Sequence, residues 1–399
     1  MKKLVAMVAL LVLSLSGCSG LTIFSNYRKL ESIELVRTIT IDKAENGVNA
    51  AIYGTAGEDS EARMYEKTGE SVGVTLGELQ IMPLGRQAIL SHTESVLIGE
   101  ELAADGIDEC LDYIERYAET RLDTSIFVVR DGTARDLVYG LSGKDTPASD
   151  VVMGLTEHID RVGKGYVFTC REIASSLADN GCALVMCVRG VEEEKLFDAR
   201  GDLNIDPAGF AILRDDGVED FLTEEESLGA MLILSKLKSM EVDLPVGDTV
   251  LTVSIDGVKT DIHPVFSDDG ALERVMVKLA FQANIVNLRG LTDIEDGAYR
   301  KEAEQALSRE MLNAVRAALD KSQELGTDFM SLEGAVRRAA PLKTEDMPGT
   351  WNELFSALPI DIATESIIRR TYDITDPPQV VGEEEKRPWE KLIESLRDN

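Results

Sequence analysis

Residues 273–288 read ERVMVKLAFQANIVNL, and along this stretch apolar side chains alternate with polar ones. Successive side chains of a β-strand point to opposite faces of a sheet, so sustained alternation is typical of a half-buried strand. The stretch therefore predicts one long strand, and Asp269-Gly270 supplies the turn before it.

The segment that follows the strand predicts a long helix over residues 299–325. Its apolar side chains recur at helical spacing, at Ala303, Leu307, Met311, Ala314 and Ala318. Gly326 supplies a C-terminal cap, and at 1.5 Å per residue the helix would be about 40 Å long. Residues 359–368 are a further strand candidate. These elements predict an α+β C-terminal domain over 263–375, followed by a mobile acidic tail over 376–399.

Residues 30–200 alternate between strand and helix patterns, which predicts one N-terminal α/β domain. Asn46-Gly47 separates two β-rich runs and predicts a hairpin. A helical stretch is expected over 74–90, although Pro83 interrupts it or marks a start. A second helix is expected over 100–117, with Gly106 as its weak point. Further strands are predicted at 95–98, 125–130 and 183–188.

Residues 201–262 differ from their neighbours and predict a small middle α+β domain. A hairpin is expected around Asp215-Asp216-Gly217, then a short helix over 228–237 behind the acidic residues 224–226, then a strand at 250–255. The predicted fold class is α+β: three dissimilar mixed α/β domains with predominantly antiparallel or mixed sheets, behind a lipoprotein signal peptide.

The N-terminus, MKKLVAMVALLVLSLSGC, predicts export. Lys2 and Lys3 form a charged start, and the apolar run over residues 4–15 would span roughly 18 Å as a helix. That length is well short of the ~30 Å hydrocarbon core of a bilayer. Residues 1–17 are therefore interpreted as a signal peptide and not as a membrane anchor.

The signal peptide ends in Leu15-Ser16-Gly17-Cys18, which is similar to a bacterial lipobox. Cleavage between Gly17 and Cys18 would free a thiol that can take diacylglycerol through a thioether. The mature chain is then expected to carry two or three acyl chains, such as palmitate, on the outer face of a cytoplasmic membrane. Residues 18–29 are predicted to be a membrane-proximal linker that reaches roughly 35 Å when extended. The alternative is an ordinary secretory signal with a chance cysteine.

The charge balance argues against two kinds of partner surface. The sequence has 41 basic and 72 acidic residues, a net charge of −31. Nucleic-acid binding depends on Lys and Arg that neutralise phosphates, so no nucleic-acid partner is expected. The same charge disfavours a folded body lying flat on an anionic membrane, although this repulsion fades over about 8–10 Å.

Four cysteines follow Cys18 in the chain, at Cys110, Cys170, Cys182 and Cys187. An even number permits disulfides, with three possible pairings, but the favoured interpretation is buried free thiols. Cys182 and Cys187 lie five positions apart on a predicted strand, ~17 Å from each other and on opposite faces. They therefore cannot share one metal ion.

No catalytic, cofactor or metal site is predicted, apart from the covalent lipid on Cys18. The histidines His92, His158 and His263 form no zinc motif, and His92 is expected to be packed in the core. No nucleophile-elbow, P-loop or dinucleotide-binding motif is present. The acidic clusters at 215–220, 224–226 and 383–385 lack the ligand spacing of a calcium loop. Binding and assembly are therefore favoured over catalysis.

A set of segments, in chain order after the lipobox, shares one family likeness. They are residues 33–36 (IELV), 39–42 (ITID), 92–102 (HTESVLIGEEL), Arg121-Leu122, 127–137 (FVVRDGTARDL), 208–213 (AGFAIL), 226–230 (ESLGA), 306–326, 351–355 (WNELF) and Leu358-Pro359. Together with Cys18 they resemble the Ger(x)C family, lipoproteins that form the C subunit of nutrient germinant receptors in spore-forming bacteria. The sequence departs from the family at 19–24 and 339–348, where partner contacts would be affected.

The resemblance implies a non-enzymatic receptor subunit on the outer face of the spore inner membrane, lipid-anchored and built of three α+β domains. It implies two partners: an A subunit with a cytoplasmic domain and a multi-spanning B subunit similar to an amino-acid transporter. Small germinants would bind the B subunit, so no small-molecule ligand is expected on this chain. An extracytoplasmic solute-binding lipoprotein and a cell-envelope enzyme are the competing hypotheses.

Overall fold

The computed structural model describes residues 33–55, 63–81, 86–141, 147–192, 203–215, 217–290, 296–344 and 351–369. The predicted signal peptide with its lipobox at Leu15, Ser16, Gly17 and Cys18, the linker over 18–29 and the tail over 376–399 lie outside these residues. The described chain forms two β-sheets with helices packed on them, which confirms the α+β class.

The first sheet has nine strands in the order β3-β2-β1-β5-β6-β7-β8-β9, with β4 beside the start of β1. The strands are β1 (Ile33–Ala44), β2 (Gly47–Thr55), β3 (Arg63–Gly69), β4 (Gln87–Ile89), β5 (Ser95–Gly99), β6 (Ser125–Arg130), β7 (Cys182–Glu192), β8 (Leu203–Arg214) and β9 (Gly217–Phe221). The strands β1, β5, β6 and β7 are parallel neighbours, and antiparallel pairs flank them on both sides. Their continuous apolar runs, such as SVLIG in β5, are typical of parallel strands that are covered on both faces.

Six helices accompany the first sheet: α1 (Val72–Leu79), α2 (Glu100–Asp105), α3 (Asp108–Arg116), α4 (Ala134–Leu141), α5 (Ala148–His158) and α6 (Cys170–Asn180). The helix predicted over 100–117 is broken at its expected weak point, because Gly106 has a φ of 145° that a helix cannot contain. The helix predicted over 74–90 is wrong beyond Leu79. The apolar residues 87–89 instead pair in parallel with β1 as the short strand β4.

The second sheet has the order β10-β11-β12-β13, in which only β12 and β13 are parallel. Its strands are β10 (Met240–Val246), β11 (Thr249–Phe266), β12 (Leu272–Arg289) and β13 (Ile360–Arg369). β12 contains the whole of 273–288, as predicted, and one of its faces buries Val275, Val277, Leu279, Phe281 and Ala283. The alternation in the sequence therefore reflects a sheet with one covered face.

Two helices, α7 (Glu224–Ile233) and α8 (Gly297–Leu325), pack against each other beside the second sheet. The long helix predicted over 299–325 is confirmed, and it ends at Gly326 with a φ of 64°. Its apolar stripe is buried, including Ala303, Leu307, Met311, Ala314 and Ala318. The short helices α9 (Leu332–Ala339), α10 (Pro341–Thr344) and α11 (Trp351–Phe355) connect α8 to β13.

Sheet pairing runs across both of the predicted domain boundaries. β8 pairs with β7 along almost its whole length, so the hairpin of β8 and β9 extends the first sheet beyond residue 200. β11 passes through residue 262 without interruption. The predicted middle domain over 201–262 therefore has no sheet of its own, because its apolar hairpin is buried against β7 and its later strand belongs to the β11–β12 pair.

Two further expectations concern single side chains. His92 is exposed at the end of a short 3₁₀ turn, so the expectation of a packed core histidine is wrong. Cys110, Cys170, Cys182 and Cys187 are all free and buried, as favoured from the sequence. Within the described ranges no helix has both the length and the apolar character to span a membrane.

Candidate functional site

The family-like segments 39–42 and 127–137, distant in sequence, meet at one buried carboxylate. Asp42 Oδ1 accepts a hydrogen bond from the Ala134 backbone N–H at 2.7 Å, and Oδ2 accepts from Arg135 N–H at 2.9 Å. Asp42 thus caps the first turn of α4 from the end of β1. Asp42 is only 5% exposed. Burial raises the pKa of its carboxyl group, although the hydrogen bonds from the two N–H groups lower it.

Gly99 lets this carboxylate approach the sheet. A Cβ atom on Gly99 would lie 2.2 Å from Asp42 Oδ1, closer than any real contact. Any other residue at position 99 would therefore displace the Asp42 side chain from α4. The glycine in SVLIG is explained by this close approach and not by a turn.

A second polar cluster joins β1, the start of β5 and α5. Arg37 Nε donates to Glu94 Oε2 at 3.0 Å, and its guanidinium also pairs with Asp150. Next to it, the hydroxyls of Thr38 and Ser95 are hydrogen-bonded at 3.0 Å in the buried sheet. The family-like segment 92–102 is therefore tied to the first strand by side chains as well as by backbone pairing.

A third cluster connects the first sheet's helices to the segment after α7. Lys236 Nζ donates to Glu172 Oε1 at 2.7 Å and to Tyr166 OH at 3.1 Å, and Tyr166 OH donates to the same oxygen at 2.9 Å. Glu172 also completes a capping box with Thr169 at the start of α6. Burial, the largest influence, opposes ionisation, yet the hydrogen bonds from Lys236, Thr169 and Tyr166 hold the pKa of Glu172 below its usual range.

The β8–β9 hairpin is tied to the end of α8 by side chains. Arg214 NH1 lies 2.9 Å from Glu219 Oε1 and donates to Thr327 Oγ1 at 3.0 Å. The Thr327 hydroxyl in turn donates to Glu219 Oε2 at 2.9 Å, and Lys321 pairs with Asp220 on the same hairpin. These bonds link an edge of the first sheet to the helix that packs beside the second.

A buried aspartate organises the last connection. Asp328 accepts hydrogen bonds from Leu332 N–H at 2.9 Å, Glu333 N–H at 2.8 Å and Trp351 Nε1–H at 2.9 Å. It is 3% exposed, and burial raises the pKa of Asp328 to about 6 even though its three donors favour the charged form. The family-like residues 351–355 are thus held against the end of α8.

Each sheet and the helices packed on it form what we call a sheet unit. A cavity of about 490 Å³ lies where the two sheet units meet. It is bounded by the segment 162–164, the later part of β7, the first half of β8, much of α7, the start of β10 and the middle of α8. We call it the junction cavity. Gly229 makes this arrangement possible, because a Cβ there would lie 2.0 Å from the Ala314 carbonyl oxygen and would force α7 away from α8.

The four cysteines that follow Cys18 are buried thiols. Burial raises the pKa of the thiols of Cys110, Cys170 and Cys182 to about 12 and raises that of Cys187 as well. Thiols in this state are poor nucleophiles at neutral pH. No three His, Cys, Asp or Glu side chains among the described residues are grouped so that they could hold a metal ion.

Sequence reasoning missed the partners of these clusters. The capping boxes Thr169…Glu172 and Thr223…Glu226 carry a readable signal, a Thr followed three residues later by a Glu. Asp42 and Asp328 carry none, because their partners are fixed by tertiary packing. The predicted lipidation site Cys18 and its neighbours Leu15, Ser16 and Gly17 lie outside the described residues.

Comparison with known proteins identifies the class to which this arrangement belongs. The family model "Spore germination protein N-terminal domain" matches residues 26–189, and "Spore germination B3/ GerAC like, C-terminal" matches residues 208–372. A curated relative, "Putative spore germination protein YfkR" of Bacillus subtilis (strain 168), is 20% identical over 370 residues, covering 88% of this chain and 92% of the relative. These matches define a spore germination protein.

The fold has a solved counterpart. "Crystal Structure of the GerBC protein" matches with a TM-score of 0.54 and 16% identity, over 83% of this chain and 96% of the other. The similarity at this identity concerns the fold. With both family models matched in order along the chain, the protein belongs to the Ger(x)C family.

Proposed function

We propose that the chain is a lipid-anchored, non-enzymatic subunit of a spore nutrient germinant receptor. In this proposal it acts in assembly and signalling at the outer face of the spore inner membrane. The observation that supports this most directly is the ordered match of the N-terminal and C-terminal spore germination models over residues 26–189 and 208–372. The lipobox-like sequence that ends at Cys18 supports the membrane attachment.

The proposed mechanism is local concentration. Two acyl chains on Cys18 would hold the protein firmly at the membrane. Encounters with membrane-embedded A and B subunits would then occur at an effective concentration in the millimolar range, as for short flexible linkers. Residues 18–29 would reach roughly 35 Å, which is several Debye lengths, so the acidic body need not contact anionic lipid.

The polar clusters support a rigid body, in which a displacement of one sheet unit also moves the other. Lys236, Glu172 and Tyr166 join one pair of segments, and Arg214, Glu219 and Thr327 join another, so the two sheet units are linked at more than one place. A subunit built in this way can present a fixed surface to its partners. The function proposed here needs such a surface and no reacting group.

Germination of spores from the host tests the proposal. The gene is deleted, or replaced by Cys18→Ala or by the neighbouring control Ser19→Ala, and spores are exposed to a panel of nutrients while dipicolinate release is followed. We expect deletion to abolish the response to some nutrients, Cys18→Ala to weaken it with normal amounts of folded protein, and Ser19→Ala to leave it intact. Non-nutrient triggers should remain effective in all three strains.

An unchanged response of the deletion strain to every nutrient, in a host lacking other receptors, would contradict the receptor function. It would move support to the alternative of an extracytoplasmic solute-binding lipoprotein. A normal response of Cys18→Ala spores, with the protein shown to be unlipidated, would contradict the anchoring mechanism alone.

A further inference from the structure

The junction cavity has the size of a small-molecule site. Its volume of about 490 Å³ falls within the roughly 300–1,000 Å³ range of ligand pockets. Part of the wall is apolar and comes from separate segments of the chain: Val162, Leu228, Met231, Met240 and Ala314. Two methionines among these are flexible enough to adapt to an aliphatic chain.

The polar part of the wall is strongly acidic. Five carboxylates line it, from Asp206, Glu224, Glu225, Glu241 and Glu310. Two cations, Lys164 and Arg189, line it as well, which leaves an excess of negative charge. Within the described residues, none of the five carboxylates is within 4.0 Å of a basic nitrogen, so their charge is available to a ligand.

A buried hydroxyl supplies an independent indication of a ligand. Ser227 lines the cavity from α7 and is only 2% exposed. Its Oγ atom has no hydrogen-bond partner among the described residues. Buried polar atoms are nearly always hydrogen-bonded, and one left without a partner costs about 1–3 kcal/mol. A ligand with a polar group could satisfy it.

The spacing of the carboxylates argues against a metal ion as this ligand. A metal needs several oxygens converging on one point, and in the described part of the chain no three acidic, His or Cys side chains converge in that way. Carboxylates spread along an apolar wall instead suit a molecule with a flexible hydrocarbon body and a positive end.

We propose that the junction cavity binds a small organic cation, namely an aliphatic chain that ends in an ammonium or guanidinium group. The carboxylates of Glu225, Glu241 and Glu310 attract the charged end, and Leu228, Met231 and Met240 contact the chain. Because the walls come from both sheet units, the bound cation connects them. This inference concerns the described body of the protein and is independent of the proposed lipid anchor.

Binding is measured on the full chain, purified in detergent, by isothermal titration calorimetry in 0.15 M salt. Lysine, arginine and 1,4-diaminobutane are the test ligands, and norleucine is the matched control because it lacks only the terminal ammonium of lysine. We expect saturable one-to-one binding of at least one of the three cations and none of norleucine. N-acetyl-lysine methylamide separates two sources of the same chemistry: if it binds as well as lysine, the natural ligand is a basic side chain of a partner, and otherwise it is a free solute.

Substitutions locate the site. Glu310→Gln removes one carboxylate of the cavity, and Glu302→Gln removes an exposed carboxylate of the same helix that does not line it. We expect Glu310→Gln to weaken binding about twofold to fivefold, the range for one exposed ion pair, and Glu302→Gln to leave it unchanged. Circular dichroism and the melting temperature confirm that both variants are folded.

Two results would overturn the proposal. One is the absence of saturable binding for all three cations at millimolar concentration. The other is equal weakening by Glu302→Gln and Glu310→Gln, which would mean that the net charge of the protein, and not this cavity, attracts the cation. Neither result bears on the germination assay, so failure here is distinct from failure of the receptor function.

Discussion

Replacement of Asp42 by alanine should destabilise the first sheet unit by about 2–4 kcal/mol. The change leaves the N–H groups of Ala134 and Arg135 without their acceptor in a buried setting, and each orphaned donor costs about 1–3 kcal/mol. Part of that loss is offset, because the variant no longer bears the cost of burying a carboxylate, which the wild-type protein does bear. A native protein is stable by only about 5–15 kcal/mol, so the effect should be readily measured.

Urea unfolding followed by far-ultraviolet circular dichroism measures this difference, with hydrogen exchange at the start of α4 as a local probe. Asp112→Ala is the control, since among the described residues Asp112 pairs with the exposed Arg116, and its loss should change stability by less than about 0.5 kcal/mol. Asp42→Asn keeps one acceptor oxygen and should fall between wild type and Asp42→Ala. If Asp42→Ala were as stable as Asp112→Ala, with α4 amides equally protected, the capping role assigned to Asp42 would be refuted.

Three further outcomes follow from the geometry. The pKa of Asp328 is about 6 in the folded protein against about 3.9 unfolded, so the folded state binds the proton more tightly. The free energy of unfolding should therefore fall by about 2 kcal/mol as the pH rises from 4 to 6, and urea titrations of Asp328→Asn should lack this fall. Gly229→Ala should lower the free energy of unfolding by about 1–3 kcal/mol, because the added Cβ clashes with Ala314. Gly77→Ala lies in open space on α1 and should raise the free energy of unfolding by about 0.5–1 kcal/mol. Melting curves of the two variants distinguish these outcomes. In a Cys18→Ala variant the remaining cysteines are the buried Cys110, Cys170, Cys182 and Cys187, and a thiol reagent should label them only after denaturation. Rapid labelling of this variant in its native state would contradict their burial.

The elements that the sequence predicted well are those in which local pattern and burial agree. The helix over 299–325 has a continuous apolar stripe and a glycine cap, and the strand over 273–288 has one covered face, so their periodicity is readable without knowledge of the fold. Gly106 interrupts a helical pattern and does so in the structure as well.

The parts that could not be predicted depend on contacts between distant residues. The pairing of β8 with β7 crosses the boundary that a change in composition suggested at residue 200, because strand pairing depends on which apolar edges meet. The end of the helix predicted over 74–90 was missed for the same reason, since residues 87–89 are apolar to suit β1. The junction cavity is composed of residues from 162 to 314 that share no motif, so only the fold brings them together.

The position of β1 determines how the protein responds to a mechanical load from its N-terminal side. The chain enters the described structure at Ile33, directly into a strand that is paired with β2 on one side and with β4 and β5 on the other. A pull along the chain from upstream of Ile33 therefore acts parallel to this interior strand. Hydrogen bonds on both of its sides must then be sheared together, whereas an edge strand could be peeled away one bond at a time. An attachment upstream of β1 therefore pulls on a strand that is held on both sides, and tension on it is transmitted to the body of the protein before the strand is pulled out.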